Sequence, residues 1–90
     1  MQQRVVRIVN RFGLHARAAA RLVAECSRFQ SVVTLRVGAK RADGRQFIAL
    51  LLLSASLGVQ VAIEADGPDE TRAIAAVARL IDDGFDEEGP

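Results

Sequence analysis

The spacing of apolar residues changes period several times along this chain, and those changes restrict the fold more than any single motif does. Residues 4–10 alternate, with Val6 and Ile8 on one face and Val5, Arg7 and Val9 on the other, which predicts a strand because successive side chains project to opposite faces. From about residue 16 to about residue 28 the spacing becomes helical. Ala19, Leu22, Val23 and Cys26 fall on one stripe, and Arg17, Arg21, Glu25 and Arg28 on the opposite one. Residues 31–37 alternate again, with Val33, Leu35 and Val37 on one side. Gly38 then turns the chain into a short strand near residues 40–42, and Asp43-Gly44 marks another turn.

Residues 47–54 are apolar nearly all round, so period alone leaves strand and short helix open. The small residues Ser54, Ala55, Ser56 and Gly58 end the run. Residues 59–65 alternate cleanly, with Val59, Val61, Ile63 and Ala65 inward. Gly67-Pro68-Asp69-Glu70 predicts a helix start with Pro68 at the first helical position, where no hydrogen bond is lost, and with acids against the positive helix end. Ile74, Val77, Leu80 and Ile81 form its buried stripe, and the acidic tail over about residues 82–90 is expected to fray.

The order strand, helix, hairpin, short helix, strand, helix predicts an α+β fold, an antiparallel sheet with helices on one face. Ninety residues suffice for one domain, here 1–90. With four Phe and neither Trp nor Tyr, the core must be aliphatic, which favours thin helix-on-sheet layers. A single cysteine, Cys26, makes no internal disulfide, its apolar stripe suggests a buried thiol, and no apolar run follows the first residues, so a cytoplasmic location is expected. The longest apolar run is far short of the roughly 20 residues that span a bilayer. Residues 1–45 carry ten Lys or Arg against two acids, and residues 46–90 two against nine, a contrast that suggests a basic face and an acidic face and hence an anionic ligand or acidic partner.

His15, the one histidine, stands where a helix N-cap would normally be Ser, Thr, Asp or Asn. The first amides of a helix lack internal acceptors and carry partial positive charge, so they hold anions. The same field disfavours a protonated imidazole and leaves a nucleophilic ring nitrogen. Arg17, a cation in the first turn, opposes the dipole unless an anion arrives, and its guanidinium can take a phosphoryl group through two hydrogen bonds. His15, Arg17 and the amides of Ala16 and Arg17 thus make a candidate phosphate pocket. The small residues Ala16, Ala18, Ala19 and Ala20 are expected to leave room for a partner. Weighed against this, a lone histidine before a helix is more often an ordinary surface residue. A zinc site lacks ligands, since there is no second histidine and Cys26 lies on the inner stripe.

The segment Gly13-Leu14-His15-Ala16-Arg17-Ala18-Ala19 resembles the phosphorylation-site motif of the histidine-containing phosphocarrier (HPr) family of the bacterial phosphotransferase system, including its nitrogen-related branch. The resemblance continues through Cys26-Ser27-Arg28-Phe29-Gln30-Ser31, Asp43-Gly44-Arg45, Leu53-Ser54-Ala55-Ser56-Leu57-Gly58 and Glu64-Ala65-Asp66-Gly67-Pro68-Asp69-Glu70. It implies an open-faced sandwich of four antiparallel strands with three helices on one side. It further implies a carrier, without stand-alone catalysis or cofactor, that takes phosphate on His15 Nδ1 from enzyme I, ultimately from phosphoenolpyruvate, with Arg17 in support. The phosphate would leave to a histidine of an enzyme IIA. By the same resemblance Phe47, Ile48 and Leu51 match an apolar docking patch, which Arg21 and Arg28 would rim together with Arg17. The alternative for these arginines is a solvated helix face with an Arg21–Glu25 pair.

Two positions depart from the pattern. Ala18 stands where many members have proline, and Gln46 stands near where many carry a serine phosphorylated by a regulatory kinase, so that switch is expected to be absent. Two other functions compete. A nucleic-acid module would use the basic half, but groove-reading motifs and exposed stacking aromatics are lacking, so no nucleic-acid partner is expected. A regulatory module could bind an anion at the helix terminus without being phosphorylated. A monomer suits a shuttle that presents one face to successive partners.

Overall fold

The computed structural model describes residues 1–86 and runs β1 (Gln2–Arg7), α1 (Ala16–Cys26), β2 (Val32–Val37), β3 (Lys40–Asp43), α2 (Phe47–Leu52), β4 (Gln60–Asp66) and α3 (Glu70–Asp82). The strands form one antiparallel sheet in the order β1-β4-β2-β3. Its register follows the apolar alternation. Val6 lies opposite Val61, Val33 opposite Ala65, and Leu35 opposite both Ile63 and Ala42. All of these are buried, whereas the intervening positions Val5 and Val32 face solvent. A slip of one residue would turn the whole set outward, so burial fixes the pairing.

Two helices cover the apolar face. α1 places Ala18, Ala19, Leu22 and Cys26 on it, and α3 places Ala73, Ile74, Val77, Ala78 and Ile81. Burying each larger aliphatic side chain contributes about 1.5–3 kcal/mol. The other sheet face stays open, so the fold is the α+β arrangement that the pattern predicted and the open-faced sandwich that the resemblance implied. The ambiguous apolar run over residues 47–54 resolves as the short helix α2, with Leu50 and Leu53 buried and Ile48 and Leu52 exposed.

Element ends differ from expectation where side chains intervene. α1 stops at Cys26 instead of near Arg28: Ser27 is the C-cap, its hydroxyl joining its amide on the Val23 carbonyl at 2.6 Å, and the Arg28 and Phe29 amides then donate to Glu25 and Cys26 at 3.2 Å, an i→i−3 pattern that tightens the end of the helix. Pro68 lies before α3 and not at its first position; Asp69 is the N-cap. The Asp69 carboxylate does not cap its own helix. It accepts from the Gln30 amide at 3.0 Å, the Ser31 amide at 2.9 Å and the Ser31 hydroxyl at 2.5 Å, which starts β2 at Val32 and satisfies a serine that is almost wholly buried. Gly67 allows this approach, since a Cβ there would meet Ser31 Cα and Oγ at 2.6 Å. Arg45 grips the same loop from its carbonyl side, donating to the Phe29 and Ser31 carbonyls.

Some charges of the two oppositely charged halves pair across the fold. Glu64 lies between Arg36 at 3.7 Å and Arg41 at 3.5 Å, and Arg21 reaches Asp86 at 3.5 Å. The reason is topological: β4 sits beside β2, and the C-terminal turn returns to α1.

The acidic tail does not fray at residue 82. α3 continues to Asp82, and a 3-10 turn over Gly84–Asp86 follows, with Gly84, Phe85 and Asp86 all at positive φ and Phe85 fully buried. A left-handed conformation costs a non-glycine residue roughly 1–2 kcal/mol, and burial of the Phe85 ring offsets it. Only residues 87–90 of the expected frayed tail lie outside the described residues.

Two measurements follow from these contacts. Phe85→Ala should lower unfolding free energy by about 3–5 kcal/mol in urea titrations, the loss typical of a buried phenyl ring and far from that of a frayed end. The hydrogen bonds from the Ser31 hydroxyl, and then from the backbone amides, lower the Asp69 carboxyl from its ordinary 3.8 to about 2. A folded-state value below the unfolded one means that ionised Asp69 stabilises the fold above pH 3.8 and that this contribution is lost as pH falls towards 2. Asp69→Asn should therefore be less stable than the parent at neutral pH and show a flatter acid limb in thermal unfolding followed by circular dichroism.

Candidate functional site

The site is built where β1 gives way to α1. Asn10 closes a tight turn: its buried side-chain amide donates to the Gly13 carbonyl at 2.8 Å, and the Gly13 amide donates to the Asn10 carbonyl at 3.2 Å. Gly13 has φ +62, and a Cβ there would stand 2.4 Å from the Ala55 carbonyl oxygen, so conformation and space both require glycine. The next residue then docks. The Leu14 amide donates to that same Ala55 carbonyl at 2.8 Å, and its side chain enters the core.

With Leu14 anchored, His15 becomes the N-cap of α1 in an extended conformation. Its carbonyl accepts the first helical bond, from Ala19 at 2.8 Å, and its Nδ1 accepts from the Arg17 amide at 3.2 Å. The imidazole thus plays the part that a Ser or Asp side chain plays at other N-caps. That bond identifies Nδ1 as the ring nitrogen whose lone pair points into the helix terminus. The amides of the first turn converge there, since helix geometry gives them no internal acceptor. Phe12 stands against the imidazole edge-to-face, with ring centroids 6.2 Å apart and planes at 85°.

Arg17 and Ala16 are exposed beside His15, as the pocket requires, and among the described residues no ion pair engages the Arg17 guanidinium. Ala18 and Ala19 correct the expectation of an open small-residue surface. Both are fully buried, because helical spacing turns them to the sheet with Leu22, and only Ala16 and Ala20 face solvent.

The apolar patch on α2 has Ile48 64% exposed, Phe47 37% exposed and Leu51 half-buried; Leu52 is exposed too, at the i+4 position from Ile48, a spacing legible in the sequence but not used. The Arg21–Glu25 pair does not form. Glu25 holds Arg28 at 2.6 Å, Arg21 turns to Asp86, and Arg28 also lies over the Phe29 ring at 5.6 Å. Such exposed pairs contribute at most about 1 kcal/mol each and leave both arginines near the surface. Cys26 is buried under Gly44, and burial pushes its thiol up to about 12, so it is not a nucleophile at neutral pH. Reasoning from sequence missed Phe12 as a neighbour of His15 and the Ala55 carbonyl as the anchor of its loop. The first pair is only three residues apart but lies in a loop, where no period marks it; the second arises only from a tertiary contact.

No helix among the described residues is long and apolar enough to cross a membrane. A family model described as the PTS HPr component phosphorylation site matches residues 2–83. Phosphocarrier protein NPr of Proteus mirabilis is 44% identical, the match covering 97% of this chain and 98% of that one. Phosphocarrier protein HPr of Cupriavidus necator is 38% identical over 97% of this chain and 98% of its own. The crystal structure of an HPr from Thermoanaerobacter tengcongensis superposes with a TM-score of 0.93 at 35% identity, covering 99% of this chain and 100% of that one. Aliphatic sandwich, glycine-anchored loop and histidine-capped helix thus coincide with a match along nearly the whole length: the chain belongs to the HPr family of phosphocarrier proteins of the phosphotransferase system.

Proposed function

We propose that His15 is the phosphoryl-bearing residue, taking phosphate on Nδ1 from phosphorylated enzyme I and ultimately from phosphoenolpyruvate, and passing it to a histidine of an enzyme IIA. The observation that carries this reading is the Arg17 amide donating to Nδ1. The lone pair that accepts this bond is the one that would attack phosphorus. As the new P–N bond forms, the bond from phosphorus to the donor breaks and its electron pair leaves with the donor. The ring keeps its proton on Nε2, so no base is needed. The Arg17 and Ala16 amides, with nothing to satisfy inside the helix, then donate to phosphoryl oxygens, and the helix terminus stabilises their charge. Arg17 supplies a guanidinium able to bind two of these oxygens. Transfer onward reverses the step: the acceptor histidine attacks phosphorus, and the P–N electrons return to Nδ1.

The chain then needs no cofactor and performs no net reaction without its partners, which is why docking matters. The exposed Phe47 and Ile48, with Leu51 behind them, would form the apolar contact, and Arg17, Arg21 and Arg28 would meet acidic groups around it. A single domain over 1–90, working as a cytoplasmic monomer, suits a shuttle that shows the same face to donor and acceptor in turn. Gln46, the N-cap of α2, offers no hydroxyl for a kinase.

Incubation with phosphoenolpyruvate and a bacterial enzyme I should add one acid-labile, base-stable phosphate, absent from His15→Ala. If the protein instead remains unlabelled, and His15→Asn still binds inorganic phosphate, the module binds anions without carrying them. Arg17→Ala should fold normally but transfer roughly ten- to a hundredfold more slowly, the loss expected for one hydrogen-bonded charge. Quenched-flow transfer rates equal to those of the parent would remove Arg17 from the site.

A further inference from the structure

We infer that Phe12 is a positioning residue for the His15 imidazole. It rests on the reading of His15 above only for its kinetic consequence. Phe12 is 68% exposed, an unusual fate for one of only four aromatic residues in a chain whose core takes two of the others whole, Phe29 and Phe85. Its ring does not serve the core. It meets the imidazole edge-to-face at 6.2 Å and 85°, a favoured aromatic geometry, and the Arg11 guanidinium lies over it at 5.5 Å.

The backbone on either side of Phe12 is held. Asn10 and Gly13 bond to each other across it, and Leu14 is bound to Ala55, so the ring has a fixed base from which to bear on its neighbour. The imidazole has two torsions, and the amide bond to Nδ1 at 3.2 Å is long for a neutral hydrogen bond. A ring turned over would put Cδ2 in place of Nδ1 against the Arg17 amide and swing the nitrogen away from the helix terminus. Phe12 opposes that rotation on one flank of the imidazole, the Arg17 amide aligns it on the other, and Arg11 restrains Phe12 in turn. Phe12 touches no reacting atom in this arrangement and acts through His15.

The test uses Phe12→Leu, which keeps an apolar side chain, and Phe12→Tyr, which keeps the ring. In long-range proton–nitrogen NMR spectra of the unphosphorylated protein, the parent and Phe12→Tyr should show His15 with Nδ1 as the acceptor nitrogen. Phe12→Leu should show a larger share of the opposite tautomer and altered imidazole proton shifts. In single-turnover transfer from enzyme I, Phe12→Leu should lower the rate constant about two- to tenfold at saturating donor, the loss expected of one aromatic pair, with Phe12→Tyr near the parent. Because Phe12 is exposed, thermal midpoints should stay together in all three. Unchanged imidazole spectra in Phe12→Leu would overturn the inference, as would a transfer defect confined to the apparent affinity for the donor, which would make Phe12 a docking residue. Should the parent accept no phosphate, the carrier reading fails, while the NMR comparison still decides the role of Phe12.

Discussion

The hydrogen bond from the Leu14 amide to the Ala55 carbonyl joins the end of the first strand's loop to the loop after α2, and much of the site's geometry descends from it. It sets how close the two backbones come, which is what forbids a side chain at Gly13. It fixes Leu14 in the core and so leaves His15 at the first position where a helix can begin. A helix terminus is a weak, diffuse feature in isolation. Here it acquires a defined chemical group because one residue before it cannot move and the residue after it is forced to cap.

The opposite end of the molecule is organised by two charged side chains that each bind backbone. The loop preceding β2 is gripped by a carboxylate on its amide side and by a guanidinium on its carbonyl side, Asp69 from the start of α3 and Arg45 from the turn after β3. Three elements distant in sequence are tied through a few residues of backbone. A buried serine with an ionised partner would be costly if either were lost, so this end of the sandwich has little latitude to rearrange. Polar contacts thus fix the ends of the layers, and apolar contacts fix their faces.

Sheet and helices were legible because their cause is local: alternation at Val6, Val33 and Ile63 and stripes through Leu22 and Val77 need no knowledge of the rest of the chain. The position of His15 was legible too, since a histidine where an N-cap belongs and a cation in the first turn both depart from ordinary capping. What escaped depends on distant partners. Asp69 reads as an acid in the first turn of α3, yet it stands at the N-cap and its carboxylate serves another loop. Gly84 and the acids around Phe85 read as a loose end, yet the ring between them fills the core. Ala18 and Ala19 read as open space beside the site, although the helical period that places Leu22 inward also buries them. Charge segregation along the sequence likewise became pairing in space, because antiparallel order brings late strands beside early ones.

Helix α2 has a further bearing on how such a protein meets others. It has six residues, its N-cap Gln46 makes no side-chain bond to it, and it carries neither acids at its start nor bases at its end. A helix this short does not persist on its own cooperativity; it is held by the docking of Leu50 and Leu53 beneath it. Its amides should therefore exchange with solvent through small local openings, at a free energy well below that of global unfolding. The surface on which Phe47 and Ile48 are displayed is then among the more compliant parts of the fold, and on the reading proposed above a visiting protein would meet a pliable apolar edge there.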